Sequence, residues 1–225
     1  MTKVYITDIE KGTYHQAINL AKKYTEAQLS GDNSGHDIWH VRRVVGLAKL
    51  IAQKEGCSQM LEIELLAWLH DALDSKLVEH KLSAQEALKT TFSNLFTEPA
   101  IHNLIGQILS IGYRVRKPAV KNSLVVDIVN DADQIDAIGA IGVARCFTYG
   151  AFKQQAIYHP NINEQHLQLT SEQPSSFKHF YDKLIRIKDG LKTFSARKMA
   201  EERHTFIMHF MQEFEKENQV LKNLI

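Results

Sequence analysis

At three places in this sequence, side chains that can bind a metal stand where apolar ones belong. His70 and Asp71 follow the segment Met60–Leu69, in which Leu61, Leu65, Leu66 and Leu69 recur at helical spacing. His70 lies four residues past Leu66, on the face that should be buried. His40 heads the stripe His40, Val44, Leu47 and Ile51, and Asp133 interrupts the stripe Val126, Val129, Asp133, Ala137, Ala140 and Ala144. Burying an imidazole beside an ionised carboxylate is costly unless both have partners, and a divalent cation would partner both. Taken singly, His40 reads as a hydrogen-bonded core histidine, His70–Asp71 as a helix-end ion pair, and Asp133 as part of the solvated acidic run Asp131–Asp136. Each of those readings needs its own buried partner. Convergence on one ion needs a single arrangement. Two imidazole nitrogens and two carboxylates make a borderline-hard site with room for water, suited to Mn, Fe, Co, Ni, Zn or Mg without choosing among them.

The elements that must position these residues read as helices throughout. A first helix is predicted over Tyr14–Leu29, closed by the turn-rich Gly31–Gly35. The second runs from about His36 to Glu55, with Gly56 as its stop. Ser58 is placed as the cap of a third helix that reaches about Leu73 and carries His70–Asp71. Ser83-Ala-Gln-Glu86 fits a capping box for a fourth helix ending near Phe96, and Thr97-Glu-Pro99 opens a fifth to about Ile111. Gly112–Pro118 is a basic loop. One long helix then extends from Asn122 or Ser123 to about Phe147. After a polar excursion over Gly150–Gln173, helices follow from Ser175 or Ser176 to Lys188 and from Ser195 to about Leu221. In the last, Met199, Phe206, Phe210 and Phe214 mark the apolar face. Nothing reads as a strand or an internal repeat. The expectation is an all-α chain forming a single domain over residues 1–225, with the metal-site core at about 35–150 and the C-terminal helices at about 175–221 packed on it.

Composition narrows the function classes. The chain has 225 residues, 44% hydrophobic and 24% charged, as expected of an ordinary globular protein with a substantial core. A formal net charge of +1 gives no electrostatic footprint for nucleic acid. Two cysteines, Cys57 and Cys146, make no disulfide framework. Neither a signal-peptide pattern nor an apolar run near the roughly 18 residues of a membrane span is present. The expected location is the cytoplasm, without a membrane partner.

The ordered set His40-Val-Arg-Arg43-Val, His70-Asp71 and Asp133 in Asp-Ala-Asp-Gln-Ile-Asp-Ala-Ile-Gly resembles the His…His-Asp…Asp signature of the HD-domain metal-dependent phosphohydrolases. The segments Gly35-His-Asp-Ile-Trp-His40, Leu69-His-Asp-Ala-Leu-Asp-Ser-Lys76 and Ser176-Phe-Lys-His-Phe-Tyr-Asp-Lys-Leu184 are similar to the bacterial YpgQ/YedJ-like subgroup. The resemblance runs from about Gly35 to Glu217. It implies a helical bundle in which His40, His70, Asp71 and Asp133 hold one divalent metal ion, and nucleotide pyrophosphohydrolase activity on a small phosphorylated substrate. The reaction expected is in-line attack of a metal-activated water on the α-phosphorus of a (deoxy)nucleoside triphosphate, releasing monophosphate and pyrophosphate.

Supporting roles follow from spacing. Asp74, three residues past Asp71, is a candidate catalytic base if the helix persists, and Lys76 is a candidate for neutralising phosphate. Arg43, His36 and Lys183 are candidate substrate contacts, with His179 beside Lys183 at i and i+4. Arg114, Arg116 and Lys117 could meet a polyphosphate tail. Asp37 serves either the other ring nitrogen of His40 or the positive end of the helix dipole. No second histidine set of the two-metal kind is evident: His80 falls in a loop and His102 reads as a surface or core residue, so one tightly bound metal is expected. Two further readings stand beside this one: a phosphomonoesterase or phosphodiesterase of the same fold, and a nucleotide-sensing module that binds without turnover.

Overall fold

The computed structural model describes residues 11–31, 35, 37–74, 80–112, 123–159 and 174–222. Among these the architecture is all-α, with one isolated bridge between Ala156 and Ser175. No single described helix is long and apolar enough to cross a membrane. Two compact units emerge, Met1–Asp32 with His36–Asp133, and Asn33–Gly35 with Gln134–Ile225.

In the first unit, α1 (Lys11–Gln28), α2 (Ile38–Lys54), α4 (Lys81–Phe92) and α5 (Glu98–Ile108) surround or extend from α3 (Met60–Leu69), and α6 (Leu124–Asp136) reaches the unit's end. Helix α3 is buried almost all round, because Ile63, Leu65, Leu66, Ala67, Trp68 and Leu69 leave no polar face. It packs against α1, α2 and α5. Its α-helical bonding ends at Leu69, earlier than the expected Leu73; His70 is the C-terminal cap and residues 71–73 form tight turns. The apolar pattern continues through Ala72 and Leu73, both buried, so burial continues where helical bonding stops. The carbonyls freed there find donors from elsewhere. Thr25 Oγ1 donates to the Trp68 carbonyl at 2.8 Å and Gln28 Nε2 to that of Ala72 at 3.2 Å.

Helix α2 starts and stops as the sequence indicates. Asp37 is the N-cap and accepts from the His40 amide, and Gly56 takes the left-handed φ of +67° just past the end. Two cap assignments need correction. Helix α3 begins after Gln59 with no side-chain cap, and α4 begins at Lys81 behind His80, two residues before the Ser83 capping box.

In the second unit, α7 (Gly139–Phe152), α8 (Ser176–Asp182), a 3₁₀ turn (Leu184–Arg186), α9 (Ile187–Gly190) and α10 (Phe194–Lys222) enclose an aromatic core. Phe177 stacks on Phe214 at 4.1 Å between ring centres, and Phe147 contacts Phe180, Phe210 and Phe214. The expected single helix from Ser123 to Phe147 is two. Its break falls at Ala137–Ile138, and Gly139 adopts φ +83°, a conformation glycine reaches without strain. The expected helix to Lys188 likewise breaks at Lys183, whose φ and ψ are −136° and −56°. On α10 the buried positions are Ala196, Ala200, Ile207 and Met211, while Phe206 is exposed, against expectation. Both cysteines are free thiols.

Candidate metal centre

His40, the third residue of α2, has no exposed side-chain surface, and neither does the His70 side chain. Their Nε2 atoms lie 3.2 Å apart, with the rings edge to face. Asp71 Oδ2 is 3.4 Å from each of these nitrogens. Asp133 Oδ1, in the last turn of α6, is 3.5 Å from His40 Nε2 and 3.9 Å from His70 Nε2. The structure therefore brings together all four residues singled out as metal ligands.

The donor set fits a divalent ion on three counts. Ligand atoms around one ion with bonds of about 2.0–2.2 Å sit roughly 3.0–3.5 Å from one another, close to the spacings among His40, His70 and Asp71, with Asp133 set slightly farther out. The tautomer of His70 is fixed: Nδ1 lies 2.8 Å from the Ala67 carbonyl, which only accepts, so Nδ1 carries the proton and Nε2 of the neutral ring presents a lone pair to the cluster. In the deprotonated form that metal binding requires, two carboxylates and two imidazoles would carry a charge of −2 that a divalent cation cancels. The carboxylates are 15% and 20% exposed while the imidazoles are sealed, so the cluster opens toward solvent on its carboxylate side.

The remaining candidates are distributed as follows. The Asp74 amide donates to the Asp71 carbonyl at 3.0 Å, in a turn tighter than an α-helix. The condition that an α-helix persist is not met, and a backbone bond is what ties Asp74 to Asp71. Arg43 is half-buried on α2, one turn past His40. Asp37 takes the second of its two expected roles, its Oδ1 accepting the His40 backbone amide at 2.8 Å. Lys183 and His179 belong to the second unit, where Lys183 lies near Cys146; burial nonetheless pushes that thiol up to about 12. His80 and His102 are exposed and take no part in the cluster; the His102 ring donates to the Glu98 carbonyl. His36, Lys76, Arg114, Arg116 and Lys117 fall outside the described residues. Sequence reasoning missed Thr25 and Gln28, which receive the end of α3. A pair of polar residues three apart near the end of an amphipathic helix was the only signal they left.

No protein-family model matches the chain. It is 34% identical to YpgQ of Bacillus subtilis over 200 residues, 87% of this chain and 91% of the relative. A crystal structure of an HD-superfamily hydrolase from Bacillus thuringiensis superposes with a TM-score of 0.69 at 31% identity, covering 91% of this chain and 97% of the other. This chain belongs to the HD superfamily of hydrolases. The structure of B. subtilis YpgQ in complex with ADP superposes on this HD-superfamily hydrolase with a TM-score of 0.67 at 28% identity, over 91% and 97% of the two chains. The all-α fold read from the sequence is that of the superfamily.

Proposed function

We propose that this hydrolase cleaves (deoxy)nucleoside triphosphates to the monophosphate and pyrophosphate, using one divalent metal ion held by His40, His70, Asp71 and Asp133. The observation that carries the reading is the approach of two sealed imidazole nitrogens and two partly exposed carboxylate oxygens from three separate chain segments. A related protein that binds ADP supports a nucleotide as the ligand. When bound, such an ion lowers the pKa of water and draws charge from a phosphoryl oxygen.

The protein's own groups do the rest. The Ala67 carbonyl and Asp37 hold the two imidazoles in place, one through the His70 ring and the other through the His40 amide. The sealed histidine side excludes water from behind, so the triphosphate enters past Asp71 and Asp133. Asp74 accepts the proton released as the water oxygen bonds to the α-phosphorus. The bond from that phosphorus to the bridging oxygen breaks, and pyrophosphate leaves with the electron pair. Arg43 and Lys76 offset charge on the phosphates.

The test is incubation with dATP and, separately, with dAMP, across Mn²⁺, Mg²⁺, Co²⁺ and Zn²⁺, with phosphate and pyrophosphate detected independently. Pyrophosphate and dAMP in equal amounts from dATP are expected, with no product from dAMP. Inorganic phosphate from dAMP would assign a phosphomonoesterase instead. Saturable dATP binding without turnover under every metal would assign a sensor.

A further inference from the structure

The helix end that follows Asp133 and the loop that precedes His40 are held by the same side chain. Arg145, on α7, donates from Nη1 to Asp136 Oδ2 at 2.9 Å and from Nε to the Gly35 carbonyl at 2.8 Å. Asp136 is 1% exposed and the Arg145 side chain 17%, so this ion pair is largely shielded from water. Its charge-assisted bonds are correspondingly stronger than those of a surface pair. Asp136 lies three residues, nearly one helical turn, past Asp133 on α6. Gly35 lies two residues before the cap Asp37 and five before His40, and its φ of +91° is one that glycine adopts without strain. A second arginine reinforces the helix end, since Arg203 Nη1 donates to the Ile135 carbonyl at 2.6 Å.

We infer that Arg145 is a positioning residue for the metal centre, setting through Asp136 and Gly35 the two chain segments that carry Asp133 and His40. The inference rests on the metal reading above and adds a residue to it. A planar guanidinium suits the task because its two donors leave in a fixed fork, which an ammonium lacks. Removing it leaves every ligand in the sequence but loosens two of the three segments that bring ligands together.

The experiment is calorimetric titration of Mn²⁺ into metal-free full-length protein, for the wild type, Arg145→Gln, Asp136→Asn and His70→Ala, with far-UV circular dichroism of each. Arg145→Gln is expected to weaken Mn²⁺ binding by at least tenfold with helical content unchanged. Asp136→Asn, which keeps the shape and removes the charge, is expected to weaken it several-fold. Folded Arg145→Gln and Asp136→Asn proteins that bind Mn²⁺ as the wild type does, while His70→Ala does not, would overturn the role of Arg145 and leave the metal centre standing. Absence of Mn²⁺ binding in the wild type would instead overturn the metal reading itself. If neither Arg145→Gln nor Asp136→Asn folds, the contact belongs to the fold rather than to the site, which also overturns the inference.

Discussion

Truncating His70 separates the metal's contribution to stability from the histidine's own. The His70 side chain has no exposed surface, and its Nδ1 donates to the Ala67 carbonyl at 2.8 Å. In metal-free protein, His70→Ala removes that bond and strands a buried acceptor, a loss of about 1–3 kcal/mol. The metal increment is independent of this loss. An ion that binds only the folded state stabilises it by about 2.7 kcal/mol at a hundred times its dissociation constant. For a chain of 225 residues, where 1 kcal/mol moves the melting temperature by about 2–4 °C, that is a rise of about 5–11 °C. The assay is differential scanning calorimetry in EDTA and in Mn²⁺ at a hundredfold excess over the calorimetric Kd. Wild type should show the full rise, reversed by EDTA. His70→Ala should melt lower in EDTA and gain less than about 1 °C from the same Mn²⁺, because three remaining donors hold the ion far less tightly. An equal rise in the two proteins would refute the placement of His70 in the site.

Three further outcomes follow from local geometry. Asp37→Ala removes the cap on the His40 amide, so it should cost about 1 kcal/mol and weaken Mn²⁺ binding several-fold, whereas Asp37→Ser should restore both in the same titration. Gly142→Ala should be destabilising by about 1–3 kcal/mol despite the helix propensity of alanine, because its Cβ would sit 2.3 Å from the Ala137 carbonyl oxygen; a lower urea midpoint at unchanged slope checks this. Burial holds the Cys146 thiol up at about 12 in the folded chain, with Lys183 opposing the rise, against 9.0 for the free group. Between those values the unfolded chain binds fewer protons, so stability should fall as pH rises above 9.0, and Cys146→Ala should flatten that slope in urea melts at pH 8 and 10.

The residues proposed as metal ligands were legible because each broke a period. His40 and Asp133 stood in apolar stripes, and His70 fell four residues after Leu66, so burial and polarity conflicted at the same three places. Helix ends were less legible where the partner that ends them is distant in sequence. Nothing in Leu69–Leu73 announces a stop, since the apolar pattern runs on. The carbonyls of Trp68, Ala72 and Ala67 are instead taken by Thr25, Gln28 and the His70 ring. In a helix, Gly139 and Gly142 would lower propensity and admit a close neighbouring helix. Close approach is real at Gly142, but the partner is the carbonyl of Ala137 at the break. The left-handed φ of Gly139 is what lets the chain turn there. Arg145 left no periodic trace, because its partners are a backbone carbonyl 110 residues away and a buried aspartate on another helix.

All four proposed ligands sit at the ends of elements: His40 in the first turn of α2, His70 and Asp71 just past the end of α3, and Asp133 in the last turn of α6. Helix interiors satisfy their own backbone groups, so a side chain there is placed by packing alone. Helix ends leave amides and carbonyls open, and whatever satisfies them also fixes the adjoining side chains. Here the same bonds serve both purposes. Asp37 caps α2 and thereby seats His40; the Ala67 carbonyl accepts the Nδ1–H of His70 and thereby aims its Nε2. An interior site built from three straight helices would need a separate set of contacts to orient each ring. Placing the ligands where helices end makes backbone satisfaction and ligand orientation one problem, which is why replacing a cap that touches no ion should still be felt in the affinity for one.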